Sequence, residues 1–169
     1  MLKRSRRGKM VVAAVVLAAV LIGALGMLVR SVWAEGEKDL GQLLQQSGLK
    51  FRKLDKDAGW VVPFDAGGGK TVNVLITYTS NKKKFAMIFA TVVDKDDKYE
   101  YGKDVLLEAM KLNNQATGCK FCLDYDNGDI DCQSEVYMAT LTPETLDLYV
   151  NLVAQTANED GQKLSALVK

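Results

Sequence analysis

The 169-residue chain contains no histidine. That removes the side chain most used for acid–base work near neutral pH, the usual His-dependent nucleophilic triads, and a main ligand for zinc. Proline is nearly absent, with two residues, and the three cysteines are an odd number, so disulfide pairing within the chain leaves at least one thiol over. Acidic residues are missing from the first 34 positions, where Lys3, Arg4, Arg6, Arg7, Lys9 and Arg30 are the only charges. The nominal net charge of +1 therefore hides a division. With six of the 22 basic residues before position 34, sixteen remain to face all 21 acidic ones, a net of five negative charges. An acidic domain without a basic stripe argues against nucleic acid as a partner, because phosphate binding rests on clustered Lys and Arg. The one dense basic run, Lys82-Lys83-Lys84, reads as a solvated hairpin tip. With 48% apolar and 25% charged residues, the chain has the composition of one folded domain with one core.

Met10 to Val29 runs without a charge behind five basic residues, the pattern of an export signal. Val32 and Ala34 suit a signal-peptidase site, so cleavage after Ala34, leaving Glu35 as the new start, is the expectation. The alternative is an uncleaved anchor, since about 20 apolar residues cross a bilayer. Either way the basic flank stays in the cytoplasm and residues 35–169 lie outside it, in the bacterial periplasm or cell envelope, tethered to the membrane if the segment is kept. No Cys follows the apolar run to carry a lipid, and Lys9 spoils a twin-arginine signal at Ser5-Arg6-Arg7.

Beyond position 34, Leu40, Leu43 and Leu44 share a helical face that Gly48 ends. Residues 49–54 and 60–64 read as short strands about an Asp57-Ala58-Gly59 turn, with Pro63 placing the second at an edge. Residues 71–79 alternate as a strand, and the almost wholly apolar 85–93 forms the next, across an Asn81 to Lys84 turn. A helix follows with Val105, Leu106, Ala109, Met110 and Asn113 on one face. Strands over 119–125 and 129–138 join through Asn127-Gly128, a strong hairpin signal. Thr142 as N-cap and Pro143 at the first helical position open a last helix that faces Leu146, Tyr149, Val153 and Ala157 inward. The order α-β-β-β-α-β-β-α, with one extra short strand, predicts an α+β two-layer sandwich: an antiparallel sheet with helices on one face.

Leu112-Asn113 at the end of the middle helix, Phe121-Cys122-Leu123-Asp124 leading into Asp126-Asn127-Gly128-Asp129, and the Leu141-Thr142-Pro143-Glu144 helix start make residues 38–158 resemble the YbjN-like family of bacterial sensory-transduction regulators. The fold of that family is similar to class I type III secretion chaperones. The resemblance implies a non-enzymatic, dimeric, protein-binding or regulatory domain, with neither cofactor nor catalytic residue. The export segment departs from it, since secretion chaperones work in the cytoplasm.

Four motifs invite chemistry. Gly69-Lys70-Thr71 resembles part of a phosphate loop, but Phe64 stands where the first glycine belongs and Thr71 opens a strand, not a helix. A flexible Ala66 to Gly69 loop is expected instead. Cys119 and Cys122 are spaced C-x-x-C, yet an extended strand turns them to opposite faces; Cys119 and Cys132 are expected as buried apolar side chains that do not meet. A turn after Gly118 would instead permit a Cys119–Cys122 disulfide. Asp124, Asp126, Asp129 and Asp131 are the weak metal candidates. With Asn127 and Gly128 as turn residues, Asp124 faces Asp131 and Asp126 faces Asp129, a repulsion calcium would relieve, although the spacing is not that of an EF-hand. Solvated turn carboxylates are the simpler reading.

The fourth feature is apolar. Pairing residues whose numbers sum to 165 across the Lys-rich turn sets Val72, Val74, Ile76 and Tyr78 beside Met87, Phe89, Thr91 and Val93 as the core face. The opposite face then carries Leu75, Ile88, Ala90 and Val92, an expected interface for a second copy or a client. The expected function is an exported, chaperone-like binding or regulatory domain with an unidentified protein client; the alternative is a small-ligand or calcium sensor using the acidic hairpin. Intact-mass measurement of protein from the envelope fraction should give a chain beginning at Glu35, whereas recovery of the full-length chain alone would establish the anchor.

Overall fold

The computed structural model describes residues 39–55, 59–79, 82–94 and 101–168, all in the unit Lys38–Lys169. The targeting segment with its cleavage point, Asp57 and Ala58 of the first turn, and Asn81 of the second lie outside the described residues.

Helix α1, Leu40–Ser47, starts where the Asp39 carboxylate accepts from the Gly41 and Gln42 amides, at 2.7 and 3.3 Å, and stops at Gly48 in the left-handed conformation. Its Leu40, Leu43 and Leu44 are buried as the spacing predicts, and the Tyr78 hydroxyl accepts from the Leu40 amide at 2.9 Å. Four strands follow: β1 Arg52–Lys53, β2 Trp60–Gly67, β3 Lys70–Tyr78 and β4 Phe85–Val93. Helix α2, Lys103–Gln115, leads to β5 Lys120–Leu123 and β6 Ile130–Tyr137, and the chain ends in α3 Pro143–Glu159 and α4 Gly161–Ser165. The strands form one antiparallel sheet in the order β1-β2-β3-β4-β6-β5. Helix α3 packs on β3, β4 and β6, α1 lies against α3, and α4 covers the end of β4. This is the two-layer α+β sandwich that the element order predicts.

Local chemistry accounts for the boundaries. Thr142 and Thr145 bond reciprocally at the start of α3, each side chain serving the other's amide, with Pro143 in the first turn. The edge position of Pro63 holds locally: β1 pairs only with Trp60 and Val61, so among the described residues β2 has no neighbour on that side at Pro63. The expected Ala66–Gly69 loop is instead the end of a hairpin. Strand β2 continues to Gly67, which pairs with Lys70 around Gly68-Gly69, where two successive positive φ angles match the twist of the strands.

The register of β3 on β4 differs from the expected one by a single residue. Leu75 pairs with Phe89, Ile76 with Ile88, Thr77 with Met87 and Tyr78 with Ala86, so the numbers sum to 164. A shift of one exchanges the faces of β4. Ala86, Ile88 and Ala90 therefore lie beneath the helices, 0 to 1% exposed, in one core with Val74 and Ile76, while Met87 and Phe89 point to the other side. The extra residue of a bulge between Thr91 and Val93 returns Val93 to the core.

Ile88 is thus a core residue. Ile88→Ala should cost about 2–5 kcal/mol of unfolding free energy in urea, and Ile88→Glu should abolish the cooperative transition. A normal melt for the Glu variant would contradict the register.

Candidate functional site

The expected interface set of Leu75, Ile88, Ala90 and Val92 does not form one surface. Ile88 and Ala90 are in the core, Val92 packs against Gly161, and Leu75 alone faces outward, half-buried beside Phe89. The outer face is nonetheless apolar along β4, with Met87 and Phe89 half-buried and the Phe85 ring packed against Tyr137 of β6, centroids 5.3 Å apart and planes tilted by 47°. Wrong parity in β4 hid these residues.

Helix α2 is the larger surprise. Of the face expected to point inward, Val105 is buried, but Leu106 and Met110 are 45% and 69% exposed, and neighbouring Leu107 is 50% exposed. The helix is set at the β5 edge by Asn113, whose amide donates to the Phe121 carbonyl at 2.9 Å and accepts from the Phe121 N–H at 2.7 Å. One side chain so reproduces a strand partner and closes that stretch of edge. Lys120 then caps the helix end, its ammonium donating to the Asn113 and Ala116 carbonyls. Rotated to make these bonds, α2 buries Val105 and Leu112 and leaves Leu106, Leu107 and Met110 in solvent.

The acidic hairpin does not gather its carboxylates. Lys120 pairs with Gln133, Phe121 with Cys132, Cys122 with Asp131 and Leu123 with Ile130, two residues from the expected register. The loop is longer than a two-residue turn, with Gly128 at φ 83° donating to the Asp124 carbonyl, and Asn127 is not in the left-handed region. Asp124 accepts from the Asp126 amide, and the Asn127 side chain bonds both the Asp129 amide and its carboxylate. Those acids shape the turn. Asp131 stands apart, 6% exposed between Thr91 and Cys122, and accepts from the Thr91 hydroxyl at 2.7 Å. Among the described residues no group of three or more Cys, Asp or Glu side chains could hold a metal ion.

All three thiols are free. Cys119 and Cys132 are buried as expected, but the shifted register brings them into side-chain contact, which corrects the expectation that no pair meets. A hydrogen bond from Cys132 holds the Cys119 thiol down to about 6 against its burial, helped by Thr156 at 3.3 Å and by Lys120. The same bond, with burial, pushes Cys132 up. Gly69, Lys70 and Thr71 form a hairpin end and strand, with no helix start to cradle phosphate.

No family model matches the chain, and no curated protein sequence matches it either. Solved structures do. A chain in the crystal structure of the ExsC–ExsE complex aligns with a TM-score of 0.52 and 21% identity, covering 75% of this chain and 96% of that one. A chain in the heterodimeric ExoU–SpcU complex from the type III secretion system of Pseudomonas aeruginosa aligns with a TM-score of 0.46 and 13% identity, covering 78% and 98%. At such identity the first likeness shows the fold alone: this chain shares the α+β architecture of a protein solved in complex with a partner protein.

Burial drives the Asp131 carboxyl above its ordinary 3.8, against the bond from Thr91. The folded state then holds that proton more tightly than the unfolded chain, so its contribution to stability is greatest below 3.8 and is lost as pH rises through the raised value. Asp131→Asn keeps an acceptor for Thr91 and should remove this loss, leaving the variant at least as stable as wild type at pH 7. Urea titrations at pH 3.5 and 7 check it, and a variant less stable by more than about 1 kcal/mol at pH 7 would contradict it.

Proposed function

We propose that this chain is an exported, non-enzymatic protein-binding module of the secretion-chaperone-like kind, a member of the YbjN-like family that works as a homodimer in the cell envelope. The observation that carries the reading is the solvent face of α2, where Leu106, Leu107 and Met110 stand 45 to 69% exposed together. A contiguous apolar patch on a helix held in place by Asn113 and Lys120 is an interface in waiting, because exposed apolar area of this kind favours burial against a partner. The likeness to a chain solved in the ExsC–ExsE complex supports protein binding as the activity. An acidic domain with one lysine run and no histidine also suits protein partners better than nucleic acid or acid–base chemistry. The N-terminal apolar segment carries the domain out of the cytoplasm and, where it stays uncut, holds it at the membrane.

Light scattering on the full chain in detergent micelles should give a dimer. Met110→Glu would put a charge into the contact and should weaken self-association by about tenfold or more while leaving the circular dichroism unchanged. A wild-type monomer at high concentration would overturn the dimer, and a variant that associates as tightly as wild type would overturn α2 as its contact. Bifunctional cross-linking in intact envelopes tests the client: wild type should give protein adducts that Leu107→Glu loses. Identical patterns for both would count against this surface.

A further inference from the structure

The β3–β4 ladder stops early. Its pairs run from Tyr78–Ala86 to Leu75–Phe89, although β3 begins at Lys70 and β4 continues to Val93. Neither Val74–Ala90 nor Asn73–Thr91, which would continue the same register, is paired. The bulge at Thr91–Val93 turns β4 away, and α4 holds it there. Gly161 lies so close to Val92 that a Cβ would sit 2.6 Å from Val92 Cγ1, and the Ser165 hydroxyl donates to the Val92 carbonyl at 2.6 Å. The result is a cleft of about 420 Å³ between the diverging strands, floored by Ala157 and Gly161. A second hollow of about 260 Å³, which shares Ala66, Val72 and Asn158 with it, extends it along α3 past Asn151 and Gln155.

The main chain on both walls points into this space. In an antiparallel pair, residues alternate between exchanging bonds with one neighbour and with the other. The Thr79 amide donates to the Phe85 carbonyl, so odd-numbered residues of β3 address β4. The Met138 amide donates to the Lys84 carbonyl, so even-numbered residues of β4 address β6 and odd-numbered ones address β3. Thr71 and Asn73 on one wall and Thr91 on the other therefore direct their N–H and C=O groups into the gap, without ladder partners. Among the described residues Lys70 is the only charged side chain lining the larger hollow and Asp65 lines the smaller; Thr71, Asn73, Asn158 and Gln162 are neutral and polar.

We infer that this cleft binds an extended peptide segment of a partner protein, main chain to main chain, with the segment's amides and carbonyls completing the bonds that Asn73 and Thr91 do not make to each other. The inference rests on the protein-binding reading and names a site for it distinct from α2. Small side chains suit the floor of Ala157 and Gly161, and with Lys70 on the larger hollow and Asp65 on the smaller one, a neutral segment suits the cleft best.

The test uses the full chain in detergent micelles, a fluorescein-labelled Thr-Val-Thr-Val-Thr peptide, and the same peptide N-methylated at its central residues, which removes donors but keeps the side chains. Fluorescence polarisation should show saturable binding of the first and at least about tenfold weaker binding of the second, the worth of one or two main-chain hydrogen bonds. Gln162→Trp fills the mouth from an exposed position and should weaken binding by a similar factor with an unchanged melt. Absence of saturable binding overturns the inference, as does binding unaffected by N-methylation. Binding that N-methylation weakens but a folded Gln162→Trp does not would place the peptide elsewhere and also overturn it. Loss of the cleft in any of these ways leaves the α2 reading intact when the wild-type dimer and the envelope adducts are present. If Gln162→Trp does not fold, the two peptides decide alone.

Discussion

The pairing of β4 with a neighbour on each side, with its even-numbered side chains under α3, is the constraint from which the other features follow. Ala86, Ile88 and Ala90 are small or branched and fully covered, which lets α3 lie close to the sheet and bury Leu146, Val150 and Val153 against it. With those positions committed to the core, Met87 and Phe89 must face outward, and Phe85 meets Tyr137 at the end of the same row. The bulge that restores Val93 to the core is also what ends the ladder with β3. One strand therefore determines the core, the apolar outer face and the cleft.

Helix α2 stands outside that arrangement. It binds the β5 edge through the Asn113 amide and contributes little to the central core, so its orientation is decided by two polar side chains and not by its apolar stripe. An amphipathic helix normally turns its apolar residues inward. Here Leu106, Leu107 and Met110 remain outside because rotating them in would break the bonds to Phe121. A surface maintained at that cost is consistent with use by a partner, while the acids of the hairpin, bound to their own turn, are consistent with a structural role.

Much of the fold was legible in the residues. The helix start at Thr142, the Gly48 stop and the alternation of β3 each have a local physical cause that the chain states directly. The register of β4 was not, because residues 85–93 are apolar on both faces and parity then depends on the turn before them, where one residue more or less exchanges the faces. The Asn127-Gly128 signal misled differently. It shortened the turn by two residues, which preserved parity, so Cys119, Phe121 and Cys132 fell on the expected face while their partners did not. The exposed face of α2 was illegible because its cause is Asn113 meeting a strand that comes later in the chain. Helix α4, five residues long, had too little periodicity to read.

Amide hydrogen exchange, resolved by residue on the full chain, tests most directly the claim that β4 pairs with β3 only as far as Leu75–Phe89. The Leu75 and Thr77 amides should be among the slowest in the domain, and the Thr71 and Asn73 amides, which point the same way, should exchange faster by orders of magnitude. Equal protection at Asn73 and Leu75 would mean that the ladder is closed and that no cleft exists.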